Sequence, residues 1–157
     1  QCLNDKEHIV IPDTITEIGN TAFYEYKSLQ NIVIPESITE IGYLAFYECS
    51  SMQSIVIPES VTKIEYETFK GCKSLLEIVI PEGINIDGGA FERCSSLEIV
   101  HLPAVMSIVS ILSPFSGCDN LKAIYVPKKK VDYYKKRFPA DMHWLIVEEG
   151  VDLPDKA

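Results

Sequence analysis

Cysteine and histidine are the residue types in this chain best suited to carry chemistry, and their spacing argues against it. Of five cysteines, Cys49, Cys72, Cys94 and Cys118 follow one another at 23, 22 and 24 residues. A near-constant interval of that length places them in one column of a repeating coil, not around a single point as a metal centre requires. Stacked coils bring such Cα atoms to about 5 Å, within disulfide reach, but parallel Cα–Cβ vectors miss the required geometry. Buried free thiols are the expectation and paired disulfides the alternative. A thiolate nucleophile needs an exposed, electropositive setting, which a core column denies to Cys49 or Cys72. His8, His101 and His143 are scattered, with no His-x-x-x-His or Cys-x-x-Cys spacing. Neither Gly-x-Ser-x-Gly nor a phosphate loop occurs, and Gly88–Gly89 falls in a turn of altered length. No catalytic, cofactor-binding or metal-binding residue is expected, and an enzyme is not expected.

What would hold such a column is an internal repeat. Prolines at 12, 35, 58, 81, 103 and 127 recur at 23, 23, 23, 22 and 24 residues, and phenylalanines at 23, 46, 69, 91, 115 and 138 keep the same period. Leu29, Met52, Leu75, Leu97 and Leu121 form a third series; Ile18, Ile41, Ile64, Ile86 and Ile108 form a fourth. Self-similarity at this period signals a solenoid. The 157 residues read as a single domain: a partial coil at 1–8, repeats at 9–31, 32–54, 55–77, 78–99 and 100–123, then a last strand and closing segment at 124–157.

Each repeat has three parts. In LQNIVIP, Leu29, Ile32 and Ile34 are inward and Val33 alternates outward, as in a strand. Pro35 ends it, because proline has no N–H for a ladder. SITEIG alternates again around Ile38 and Ile41, a second short extended stretch. Its glycine, at 19 and 42, becomes Glu65 and Asp87 in later repeats, so the slot does not demand positive φ. The third part changes period: Phe46, Cys49 and Met52 lie three apart, as do Phe69, Cys72 and Leu75. That spacing predicts a tight 3₁₀ or short α turn. The expected fold is an α/β repeat solenoid, a right-handed superhelix with a parallel strand sheet on one face, short extended returns and short helical turns.

The pattern L-x-x-I-x-I-P-x-x-[IV]-T-x-I-x-x-x-[AT]-F-x-x-C, complete in 32–54 and 55–77, resembles the bacterial surface-antigen, or BspA-like, class of leucine-rich repeat. In the first repeat Tyr26 takes the cysteine slot; the pattern loosens near Asn85 and Leu112. Residues 128–150 resemble that family's closing cap, with Val131, Tyr134 and Phe138 on an amphipathic helix and Lys135, Lys136 and Arg137 in its last turn, where the helix dipole favours cations. At the other end, Cys2 stands ten residues before its proline where the other four stand nine, so 1–8 reads as the tail of a preceding coil; a lipid-attachment cysteine is the rival reading.

The formal charge of −9 argues against a general nucleic-acid binder. It is uneven: residues 128–137 carry six cations and one acid, net +5, which leaves −14 for the rest. No stretch approaches the roughly 20 apolar residues that span a bilayer, and the opening QCLNDKEH does not read as a cleavable signal. Two outward surfaces remain. Asp13, Glu36, Glu59 and Glu82 follow the prolines and should stack as an acidic ladder. Val10, Val33, Val56, Val79, His101 and Tyr125 should line the outer strand face, with His8, Asn31, Ser54, Glu77, Ile99 and Ala123 beside them. Such rows are either ordinary strand and solubility features or a partner-binding face. The resemblance implies an extracellular or cell-surface, non-enzymatic binding or adhesion module for a protein or glycan, some members adhering to host matrix proteins. The alternatives are a structural spacer or stalk, or an array that self-associates end to end.

Overall fold

Alternating apolar residues followed by proline produce very short strands, and the repeat stacks them. The computed structural model describes residues 8–108 and 113–152. The choice that concerns Cys2 lies outside the described residues. The first coil carries β1 (His8–Val10) and β2 (Glu17–Ile18), the second β3 (Asn31–Val33) and β4 (Glu40–Ile41), the third β5 (Ser54–Ile55) and β6 (Lys63–Ile64). The fourth carries β7 (Glu77–Val79) and β8 (Asn85–Ile86), the fifth β9 (Ile99–His101) and β10 (Ser107–Ile108), and β11 (Ala123–Val126) opens a sixth. Strands of two to four residues are unstable alone. Here they gain hydrogen bonds from neighbouring coils.

All pairing is parallel and follows the repeat: Ile9 faces Ile32, Ile32 faces Ile55, and Ile78 faces Val100, which faces Ile124. The second strands form one five-stranded sheet, β2-β4-β6-β8-β10. The first strands divide into β1-β3-β5 and a four-stranded sheet that begins at β7. Inside, the expected columns are buried: Ile18, Ile41, Ile64 and Ile86; Leu29, Met52, Leu75, Leu97 and Leu121; and the phenylalanines from Phe46 onward. Rings of Phe46, Phe69 and Phe91 stack at 5.3 and 5.2 Å with planes 3° and 8° apart.

The third segment corrects the expectation of helical turns. It is a run of i to i+3 hydrogen-bonded turns: Cys49 N–H donates to Phe46 O at 3.2 Å and Met52 N–H to Cys49 O at 3.1 Å. Left-handed residues prevent the run from becoming a helix, at Thr21, Leu44, Glu67 and Gly89 two residues before Phe23, Phe46, Phe69 and Phe91, and at Glu25, Glu48, Gly71, Arg93 and Gly117 two residues after Phe23, Phe46, Phe69, Phe91 and Phe115. Their reversal of φ turns alternate amides toward the next coil, so Phe23 N–H reaches Ala45 O at 2.8 Å and Phe46 N–H reaches Thr68 O at 2.9 Å. Inter-coil hydrogen bonds join these turns from coil to coil, and the unit is a β-solenoid coil with two strand sides and one side of turns.

The glycine slot behaves as expected, with no positive φ at Gly19 or Gly42. After β11 the chain differs from a simple terminal helix. Helix α1 covers only Val131–Lys135, so Lys136, Arg137 and Phe138 lie beyond it. A 3₁₀ helix (Ala140–Leu145) and β12 (Ile146–Glu148) follow, and β12 adds to the sheet beside β11. Tyr134 is fully buried and donates its hydroxyl to Pro103 O at 2.6 Å; Phe138 completes the ring column on Phe115 at 6.1 Å.

Candidate binding face

The thiol column is structural. Cys49, Cys72, Cys94 and Cys118 are free and buried. Each donates its S–H to a phenylalanine carbonyl of the preceding coil: Phe23 at 3.1 Å, Phe46 at 3.3 Å, Phe69 at 3.2 Å and Phe91 at 3.2 Å. Desolvation pushes the Cys49 thiol up to about 12. Cys118 is raised further, first by its hydrogen bond with Cys94 and then by burial. Upward shifts of this kind favour the protonated thiol over the reactive thiolate at Cys49 and Cys118. Among the described residues no group of three or more His, Cys, Asp or Glu side chains converges as a metal site.

The strand face carries a row of exposed apolar side chains. Alternation along β1, β3 and β7 turns Val10, Val33 and Val79 outward, at 62%, 48% and 59% exposure, and Val56 just past β5 is 80% exposed. The row does not continue as expected. His101 and Tyr125 are half-buried and stack on each other at 5.2 Å. The His101 ring also lies 2.9 Å from Glu77 and 3.8 Å from Glu149. The second row is likewise uneven: His8, Ser54 and Glu77 are exposed, Asn31 and Ile99 half-buried, and Ala123, expected outside, is buried between β9 and β12.

Between the outer strands and the post-proline turns lies an open depression of about 560 Å³, lined by Glu36, Ser54, Ile55, Val56, Ile57, Glu59, Glu77, Val79 and Pro81. It joins parts of the two expected surfaces: Ser54, Val56, Glu77 and Val79 from the strand rows, Glu36 and Glu59 from the acidic ladder. Val10, Asn31, Val33, His101 and Tyr125 lie outside it. Of the remaining ladder acids, Asp13 is exposed elsewhere, and Glu82 accepts the Ala104 amide at 2.8 Å and is thereby tied to the next coil.

A break in the backbone ladder marks the same place. Past the outward residue, Ile11 N–H bonds Val33 O at 3.1 Å, Ile80 N–H bonds His101 O at 2.9 Å and Leu102 N–H bonds Tyr125 O at 2.9 Å. Among the described residues the equivalent bonds from Ile34 to Val56 and from Ile57 to Val79 are missing. The split of the outer strands into two sheets falls between β5 and β7.

Two surface features escaped the sequence reading although the repeat carries them. Tyr24 stacks on Tyr47 at 4.9 Å and Tyr43 on Tyr66 at 6.3 Å, both pairs 23 residues apart. Lys70 bridges Glu67 at 2.6 Å and Glu92 at 3.3 Å, which raises the lysine pKa, first through its hydrogen bond to Glu67. The interval alone could have flagged the tyrosines; the lysine bridge needs coils 3 and 4 in contact.

The BspA type Leucine rich repeat region matches residues 1–122 in 6 copies. Among solved structures, a leucine rich cell surface protein from Faecalibacterium prausnitzii is 31% identical, with a TM-score of 0.76 over 82% of this chain and 34% of its own. A leucine-rich repeat protein from Bacteroides ovatus is 38% identical, with a TM-score of 0.68 over 76% of this chain and 33% of its own. The pneumococcal vaccine antigen PcpA shares the fold at 22% identity and a TM-score of 0.64, over 76% of this chain and 30% of its own. No curated protein matches. No helix among the described residues is long and apolar enough to cross a membrane. With six repeat copies matched over residues 1–122, and the same coil stack found in bacterial repeat proteins, the chain belongs to the BspA-type leucine-rich repeat family.

Proposed function

We propose that this chain is a non-enzymatic binding module, displayed at a bacterial cell surface, that engages a protein or glycan partner through its strand face. The observation that carries the reading is the row of exposed Val10, Val33, Val56 and Val79. Strand propensity accounts for valine at these positions but not for the depression beside them, and contiguous exposed apolar surface marks interaction sites. Surface location rests on the similarity to a leucine rich cell surface protein. The non-enzymatic reading is supported by the buried thiol column, whose S–H groups are engaged with phenylalanine carbonyls.

The test is a screen of the purified chain against immobilised extracellular-matrix proteins and a glycan array. It is followed by the Val56→Lys/Val79→Lys double variant on every positive ligand. Both side chains are exposed, so the variant should keep the wild-type melting temperature and lose at least tenfold in affinity. Undiminished binding by the folded double variant removes the strand face from consideration.

A further inference from the structure

We infer that the depression around Val56 takes a cationic, donor-rich peptide segment, an extended chain that carries Lys or Arg beside an aliphatic side chain. The inference rests on the strand-face reading above and names the chemistry of its partner.

The polar side chains of the depression point to a partner rich in donors. Glu36 and Glu59 contribute carboxylates, and neither forms an ion pair among the described residues, whereas Glu77 is shared with His101. The Ser54 hydroxyl donates its hydrogen to Asn31 Oδ1 at 3.2 Å, which leaves its own oxygen to accept. Where the ladder breaks, the carbonyls of Val56 and Val79 and the amides of Ile34 and Ile57 do not pair with one another among the described residues, so an extended peptide backbone can meet both. No Lys, Arg or His lines the depression. The carboxylates of Glu36, Glu59 and Glu77, with no cation beside them in the lining, are complementary to ammonium or guanidinium groups, and opposite charge across an interface steers association and selects partners.

The exposed side chains of the remaining wall are aliphatic, Val56 and Val79, set over the buried Ile55, Ile57 and Pro81. No aromatic ring is present for a sugar to stack on, and an acidic glycan would be repelled. A bare divalent cation is disfavoured as well, because calcium needs six to eight converging oxygens, while no such cluster forms among the described residues. An aliphatic side chain on Val56 with cationic neighbours over Glu36 and Glu59 satisfies both halves of the surface. The rest of the chain supports the same polarity, since residues outside 128–137 sum to −14.

The experiment is an amide chemical-shift titration of the isotope-labelled chain at 50 mM salt with three blocked peptides: Lys-Leu-Lys-Leu-Lys, its counterpart with glutamine for lysine, and its counterpart with glutamate for lysine. The expected result is that the lysine peptide alone shifts Ser54, Val56, Glu77 and Val79. Its affinity should fall about tenfold in Glu36→Gln/Glu59→Gln, consistent with two exposed ion pairs. It should fall severalfold in Val56→Ser, which keeps the charge, and weaken in 0.5 M salt. Both variants alter exposed side chains, and an unchanged far-UV spectrum checks their folding. Shifts spread over the acidic body, or equal affinity for the glutamine pair variant, overturn the inference. If the glutamine peptide titrates the same amides as tightly, the cationic requirement fails while the strand face stands as a docking site. If no peptide shifts those four amides, the inference fails, and the array screen with Val56→Lys/Val79→Lys still decides the broader reading.

Discussion

Cys72 donates its thiol hydrogen to the carbonyl oxygen of Phe46 in the preceding coil at 3.3 Å, while that oxygen also accepts the Cys49 amide at 3.2 Å. One acceptor thus serves a bond within its coil and a bond between coils. The same pairing repeats from Cys49 to Cys118, so the cysteine slot asks for a small apolar residue with one donor. Cys72→Ala removes the donor and leaves a small void. It should cost about 1–3 kcal/mol by urea denaturation, from the lost bond and the cavity together. A cost near zero would mean that the thiol adds only volume.

Thiol reactivity should follow burial. In the folded protein at pH 8 a maleimide or iodoacetamide should leave Cys49, Cys72, Cys94 and Cys118 unmodified; in denaturant without reductant all four should react. Any of them protected in denaturant would reveal a disulfide.

Alkaline pH should destabilise the fold. Burial holds Cys49 protonated, raising it from 9.0 to about 12. A folded-state value above the unfolded one contributes stability that is complete below about 9. As pH climbs from there toward 12 the unfolded chain loses thiol protons that the folded chain keeps, and stability declines. The urea midpoint should therefore drop steadily from pH 9 upward, and Cys49→Ala should flatten the drop. An unchanged slope in that variant would assign the alkaline loss to other groups.

Phe69 lies in mid-column, 5.3 Å from Phe46 and 5.2 Å from Phe91. Phe69→Ala should destabilise by about 3–5 kcal/mol, because coils on both sides limit collapse into the void. A loss below about 1 kcal/mol, well short of the usual core range, would contradict the buried stack.

Two glycines in equivalent slots should respond differently. A Cβ on Gly42 would lie 2.5 Å from Asn20 Oδ1 and 2.7 Å from Asn20 N, whereas a Cβ on Gly19 meets nothing within 4 Å. Gly42→Ala should cost about 1–3 kcal/mol by overpacking, and Gly19→Ala should be close to neutral. Since backbone is among the clashing atoms, Asn20→Ala should not rescue Gly42→Ala. Equal melting temperatures for the two glycine variants would refute the packing argument.

The inner half of this protein is legible in its sequence because the repeat is a packing constraint. Ile41 and Ile64, Leu75 and Leu97, and Phe69 and Phe91 each occupy positions that only a buried column explains, and all are buried. The turns were not legible. Residues three apart fit a helix, but Leu44 and Glu67 hold φ of 54°, a choice that side chains of L-residues rarely make unaided. The hydrogen bonds to the next coil that favour this conformation exist only in the stack.

The outer face divides the same way. Sequence alone determined which residues point outward along a strand, since a period of two leaves Val33 and Val79 no other side. It did not determine which of them would stand together. Only the tertiary structure decided that Glu82 turns to Ala104, that His101 is held between Glu77 and Tyr125, and that the ladder opens beside Val56. The physical reason is that core columns answer to a contact every coil repeats, whereas surface side chains answer to neighbours that differ from coil to coil.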